Sequence, residues 1–391
     1  MGVWARATAL GAVAGTGLAV VSGAAGWGTA HRVLAAVALP PMASVVAAAW
    51  VSARRLLVPS LVALFLFGLA ALLVGKTAHL VFASLAFAAA VWVAARSFHG
   101  SLEHGPWRDY VTLTKPRIMS LLLLTGGAGF FVGARSVASL GAFGLTMVGL
   151  VLACGGASAL NHYLDRGIDR LMGSRTERRP VAAGRVPPQA ALEFGLALSA
   201  ASFVLLDSLV NLPTALLALA GNLFYVIVYT RFLKRSTAQN IVIGGAAGAV
   251  PPLVGFAGAT GHLGWAALVM FAVVFVWTPP HFWALALMIK EHYARAGVPM
   301  LPVTRGDRET ARQILLYTVV LVGLTLAPVA FGTFGVIYGV AAALLGAAFL
   351  WLAVELRRSM ERAAAVKLFH FSLLYLALLF VAMAIDTMVV I

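Results

Sequence analysis

GAFGLTMVGLVLACGGASALNHYLDRGIDRLMGSRTERRP, residues 141–180, contains the transition that decides the fold. Its first twenty residues carry no charge, and its next twenty carry eight. An uncharged run of about 20 residues is long enough, as a helix, to cross a bilayer's hydrocarbon core. The abrupt polar stretch after it reads as the point where the chain leaves the membrane. The same alternation recurs along the chain, with apolar runs of membrane-spanning length joined by short, mostly basic connections.

Composition agrees. Of 391 residues, 62% are hydrophobic and only 10% charged, and mean hydropathy is +0.96. A soluble domain carries roughly 25% charged residues, so this chain cannot clothe itself in a water-facing surface. Its 39 glycines and 16 prolines suit membrane helices, where small residues let backbones approach closely and neighbours re-satisfy freed backbone groups. The net charge of +15 lies in the connections, as expected of a basic inner face, and is not read as nucleic-acid binding. Such a face also favours anionic lipid and a diphosphate substrate. Cys154 is the only cysteine, which excludes an intrachain disulfide and a cysteine-based metal site.

The expected fold class is all-α, a polytopic transmembrane helical bundle of about thirteen spans. Four lie near 7–25, 32–52, 57–75 and 79–96, the first read as a retained span rather than a cleaved signal. A polar connector, SFHGSLEHGPWRDY (97–110), separates them from nine more, near 118–134, 141–162, 190–208, 211–229, 240–258, 264–287, 313–331, 335–354 and 369–389. This divides the chain into a four-span region, 1–100, and a nine-span domain, 109–391. With that count, the basic segments 163–189, 230–239, 288–312 and 355–368 all fall on one side, together with Arg54 and Arg55. The lysine and arginine bias assigns that side to the cytoplasm of a multi-pass cell-membrane protein.

Three polar segments carry candidate chemistry. In NHYLDRGIDRLMGSRTERRP (161–180), Asn161, Asp165 and Asp169 are spaced four apart and share one helix face. Hard oxygen donors on one stripe suit Mg²⁺, which commonly takes one or two carboxylates plus substrate phosphates. Arg175, Arg178 and Arg179 follow, suited to charge-assisted bonds with a diphosphate; a solvated helix end laced with salt bridges is the plainer reading. In YTRFLKRSTAQN (229–240), Tyr229, Lys234 and Arg235 add a hydroxyl and two cations, or are inner-face charge alone. In WTPPHFWALALMIKEHYARAGVPMLP (277–302), Pro279 and Pro280 predict a kinked or broken helix. There His281 is an ionisable group within a span, against the alternative of a satisfied packing histidine. Glu291, Tyr293, Pro299 and Pro302 predict an ordered loop over the mouth of the bundle.

From about 109 to 391 the chain resembles the protoheme IX farnesyltransferase (haem O synthase) family of the intramembrane aromatic prenyltransferase superfamily, the ubiquinone-biosynthesis type. The resemblance rests on LTKPRI (113–118), residues 161–180, YTRFLKRSTAQNIVIGGAAGAVPPLVGFAG (229–258), WTPPHFWALA (277–286) and YARAGVPMLPV (293–303), in the family's order. It implies nine helices around a central cavity and transfer of farnesyl from farnesyl diphosphate to a vinyl group of protoheme IX (haem B), with Mg²⁺ as cofactor. It implies Asn161, Asp165 and Asp169 as the first metal–diphosphate motif and Arg175, Arg178 and Arg179 as the basic run. Tyr229, Lys234 and Arg235 become the diphosphate-contacting loop, and His281 a haem-side or catalytic residue. Asp165, Asp169, Lys234 and His281 are thus the expected catalytic set, with Glu291 and Tyr293 among the substrate contacts. One departure stands out: relatives usually have an aspartate before the loop tyrosine, whereas here His292 precedes Tyr293 and follows Glu291.

Residues 1–96 lie outside the resemblance. They weakly resemble one four-helix half of haem A synthase, a candidate partner, and His31 and His79 are possible haem ligands by type; a structural or docking region is the preferred reading. Three alternatives stay open. A quinone-type prenyltransferase is opposed by WTPPHFWALA and AGVPMLP, a transporter by the lack of an inverted repeat, and a noncatalytic haem chaperone by its having no need of the 161–169 site.

Overall fold

The computed structural model describes residues 107–135 and 140–389, with isolated positions between 11 and 64. The four N-terminal spans, His31 and His79 lie outside the described residues. No strand occurs among the described residues. A short helix, α1 (Trp107–Leu113), leads to α2 (Pro116–Ala134), α3 (Leu140–Leu171) and α4 (Pro188–Leu209). The span α5, Leu212–Ser236, is α-helical to Leu223, π-helical over Phe224–Leu233 and closes with Lys234–Ser236. Then come α6 (Asn240–Thr260), α7 (Trp265–Met288), the short α8 (Lys290–Arg295) and α9 (Leu301–Thr304), and finally α10 (Gly306–Ala330), α11 (Val336–Ser359) and α12 (Arg362–Val389).

Nine of these, α2 to α7 and α10 to α12, are long and apolar enough to cross a membrane, as expected for this part of the chain. Their bounds differ from the hydropathy reading at the polar ends. The second of these spans was expected to end near 162 but runs to Leu171. The fourth was expected to end near 229 but continues to Ser236, and the last begins at Arg362 rather than 369. Hydropathy registers only the lipid-facing length, whereas a helix continues into the headgroup region wherever its backbone bonds stay intact.

Consecutive spans pack side by side, and α12 returns to α2 and α7, closing the bundle. The tightest crossing is α2 on α6. A Cβ on Gly255 would lie 1.8 Å from the Gly126 carbonyl oxygen, and one on Gly129 would lie 2.3 Å from that of Pro252. Only hydrogen fits between these backbones, as in other small-residue contacts between membrane helices. Of the kink or break expected at Pro279–Pro280, the break does not occur: α7 is continuous from Trp265 to Met288 with both prolines inside it. Membrane helices tolerate such residues where surrounding helices accommodate the freed carbonyls, and His281 therefore sits on a continuous helix.

One buried acid is structural. Asp386 on α12 accepts from the backbone N–H groups of Gly335 and Tyr338 at the start of α11. Those donors have no partner within their own helix, so the carboxylate serves as a cap supplied from a neighbour. Gly255→Ala is expected to lower stability by about 1–3 kcal/mol through overpacking, read as an earlier thermal unfolding of the detergent-solubilised protein.

Candidate active site

The polar end of α3 carries the charges that the bundle buries. Asn161, Asp165 and Asp169 are 2%, 0% and 1% exposed, all on the inward side of one helix. Four-residue spacing puts them in line, and the extension of α3 past the apolar run keeps them in line through Asp169. A carboxylate this deep requires compensation, and cations from distant segments provide it. Lys234 Nζ donates to Asp165 Oδ2 at 2.5 Å, and Arg179 donates to Asp169 Oδ1 at 2.7 Å. Arg235 lies 3.9 Å from Asp165 Oδ1.

Asn161 ties these segments together. Its amide donates to Asp165 Oδ2 at 2.9 Å and to Thr230 Oγ1 at 3.1 Å. Its carbonyl oxygen accepts from Lys115 Nζ at 2.8 Å. Lys115 stands between α1 and α2 in a left-handed conformation, φ 50°, which turns the chain so that its ammonium reaches α3. Burial pushes the Lys115 ammonium down to about 7, with the positive charges of Arg179 and Lys234 adding to the effect. Lys115, Thr230 and His162 were not among the residues singled out from sequence. LTKPRI was recognised as a block, but nothing in it reveals a partner 46 positions away.

Two carboxylate oxygens, Asp165 Oδ1 and Asp169 Oδ2, are buried without a hydrogen-bond partner. No group of three or more His, Cys, Asp or Glu side chains comes together among the described residues. The arrangement is therefore a pair of hard oxygen donors surrounded by cations. That pattern fits a divalent ion completed by ligand phosphates rather than a closed protein cage.

The other expected residues are placed around this centre. Arg178 is exposed, and the side chain of Arg175 lies outside the described residues. Arg235 donates to the Leu164 carbonyl at 2.8 Å. Tyr229 stacks on Tyr225, with ring centroids 5.6 Å apart, and Tyr293 packs against the same apolar core as Tyr229. Glu291 is exposed on α8 and does not join the α3 carboxylates in a three-acid cluster. Its neighbour His292 instead places Nδ1 2.8 Å from the Met172 carbonyl oxygen. Because a carbonyl only accepts, Nδ1 is the protonated nitrogen in that bond. Next to it, Gly173 has φ +65°, and a Cβ there would lie 2.9 Å from Arg295. The loop after α7 is thereby strapped to the end of α3. His281 is buried between Trp277 and Phe369, with centroids at 4.4 and 4.7 Å, and Nδ1 is 2.7 Å from Ser372 Oγ.

Known proteins resemble this chain in sequence and in fold. The model of the UbiA prenyltransferase family matches residues 122–382. A protoheme IX farnesyltransferase of Symbiobacterium thermophilum is 55% identical over 283 residues, 71% of this chain and 94% of its own length. One of the same name from Gloeobacter violaceus is 52% identical over 284 residues, 71% and 92% of the two chains. A solved structure of a UbiA homolog from Archaeoglobus fulgidus, bound to DMAPP and Mg²⁺, superposes with a TM-score of 0.60 at 19% identity. That match covers 72% of this chain and all of the other, a likeness of fold. With a family match across most of the spans and near relatives covered almost end to end, the chain belongs to the UbiA prenyltransferase family.

Proposed function

We propose that this multi-pass membrane protein transfers the farnesyl group of farnesyl diphosphate to a vinyl group of protoheme IX, giving haem O. Relatives of that name at about half identity support the reaction. The observation that carries the chemistry is the pair of unpartnered oxygens, Asp165 Oδ1 and Asp169 Oδ2, set among Lys115, Arg179, Lys234 and Arg235. Residues 109–391 form the catalytic unit in this reading, with the polar loops on the cytoplasmic side of the cell membrane. Residues 1–100 are assigned a structural or docking role, with haem A synthase, the consumer of haem O, as the candidate partner of the protein.

Asp165 and Asp169 would hold Mg²⁺, which supplies positive charge to the departing diphosphate. Lys115, Arg179, Lys234 and Arg235 bind that diphosphate where its negative charge grows as the allylic C–O bond breaks. Arg175 and Arg178 add to the charge of the basic run. Asn161 holds Asp165 and Lys115 in register, a positioning role. Tyr229 and Tyr293 wall the prenyl side. His281, clamped by Trp277 and Phe369, is assigned to the haem side. The vinyl π electrons form the new C–C bond at farnesyl C1, and water adds to the resulting cation with loss of a proton. The apolar surroundings keep water from quenching the farnesyl cation first.

Three outcomes are expected. Asp165→Asn and Asp169→Asn should each lower haem O formation by at least about a hundredfold. This is read by mass separation of haems from membranes given protoheme, farnesyl diphosphate and Mg²⁺; wild-type turnover in both would remove the pair from the reaction. His292→Asp should lower turnover, because an ionised carboxylate cannot donate to the Met172 carbonyl. Higher activity in that variant would mean the position favours an acid. For Lys115 the folded value of about 7 lies below the ordinary 10.5, so the unfolded chain binds its proton more tightly. Without diphosphate, stability should therefore rise as pH climbs from about 7 toward 10. The difference between wild type and Lys115→Met in thermal unfolding at pH 6.5 and 9 isolates this contribution.

A further inference from the structure

A second basic feature lies on the opposite side of α3 from the carboxylates. A groove of about 440 Å³ is lined by Tyr163, Arg166, Gly167, Arg170, Arg231 and Arg235. At about 100° per residue, Tyr163, Gly167 and Arg170 lie roughly 100–160° around α3 from Asp165 and Asp169, and Arg166, roughly 60–100° from them, stands at the edge of the groove nearest the site. The body of the helix thus separates groove from site, and only Arg235 borders both.

No carboxylate lines this groove. The guanidinium groups of Arg166, Arg170 and Arg231 are held by neutral partners instead, and Arg235 alone has a carboxylate near it, Asp165 at 3.9 Å. Arg166 donates to the Tyr163 carbonyl at 2.6 Å and lies 4.7 Å from the Tyr163 ring centroid. Arg170 donates to the Ala182 carbonyl at 2.8 Å. Arg231 stands 5.9 Å from the Phe232 ring centroid. Backbone and ring contacts orient these groups without neutralising them, so like charges converge on one concave space. Gly167 leaves its share of the wall open, since a Cβ there would meet nothing within 4 Å.

We propose that this groove binds the phosphate of an anionic membrane lipid, at a site separate from that of the prenyl diphosphate. The apolar surface beside it favours a lipid over a free ion. Leu223 and Ile227, each 46% exposed, precede Arg231 at four-residue intervals and run along one side of α5. They form a track for an acyl chain that ends at the guanidinium. Phe232 and Leu171, 59% and 56% exposed, border the same level. Basic pockets between membrane helices recognise anionic headgroups in this way, and the planar guanidinium matches phosphate geometry.

The test is lipid binding by the full chain in detergent, followed by native mass spectrometry with phosphatidylglycerol, phosphatidylcholine or inorganic phosphate added. Wild type should bind one phosphatidylglycerol in preference to phosphatidylcholine. The double change Arg166→Gln, Arg231→Gln should weaken that binding roughly thirtyfold, from about 1 kcal/mol per basic residue. The same charge removed elsewhere at the basic end, Arg357→Gln with Arg358→Gln, should leave binding within about twofold. Equal weakening by both pairs would reduce the groove to general surface charge and overturn the proposal. So would equal binding of phosphatidylcholine, or inorganic phosphate binding as tightly as the lipid. If the double variant fails to fold, Arg231→Gln alone should weaken binding about fivefold, and unchanged binding in it overturns the proposal.

Discussion

The structure depends on housing two carboxylates inside a membrane bundle. Asp165 and Asp169 are almost wholly buried, and an unpaired charge at such a depth is among the costliest things a membrane protein can contain. The cost is met by cations from three other parts of the chain: Lys115 before α2, Arg179 in the loop after α3, and Lys234 and Arg235 at the end of α5. None of these reaches the site unless its own element is already packed. Assembly of the bundle and assembly of the charge cluster are therefore one event. The same coupling holds the cations in place before any anion arrives, which is the preorganisation that electrostatic catalysis requires.

The apolar part of the bundle supplies position rather than chemistry. Glycine contacts between α2 and α6 bring two backbones together, and α12 closes against α2 and α7. Membrane helices gain little from hydrophobic burial against one another, so close packing and buried hydrogen bonds set their arrangement. Asp386 shows the second kind of contact: it caps a neighbouring helix start and has no evident role at the basic end. An acid inside a span is thus no sure sign of a reactive centre. What sets Asp165 and Asp169 apart from Asp386 is that they lie one helical turn apart on one face, among cations from other segments.

Much of this was legible in the sequence, for physical reasons. Apolar runs of bilayer length revealed the nine spans, and the four-residue spacing of Asn161, Asp165 and Asp169 revealed their shared face. Local patterns of this kind survive folding because the helix itself generates them. Long-range pairing leaves no such trace. Lys115 looked like part of a turn, and its contact with Asn161 became visible only in three dimensions. At Pro279–Pro280 the kink or break expected from the prolines is not a break, because neighbours in a bundle sustain a helix that would be interrupted in isolation. His292 looked like a lost acid until its bond to Met172 gave it another purpose.

The wide helical stretch in α5 makes the reactive centre a matter of counting. Phe224–Leu233 is wound as a π-helix, and Lys234 follows directly from it. A π-turn is geometrically an α-helix carrying an extra residue. Removing one residue there with the winding unchanged would turn everything beyond it by roughly a quarter turn around the axis. The ammonium that now meets Asp165 would face another direction, although every side chain proposed for catalysis would still be present. Length within this segment is thus as constrained as identity, so that a substitution is the gentler change and an insertion or deletion the severe one.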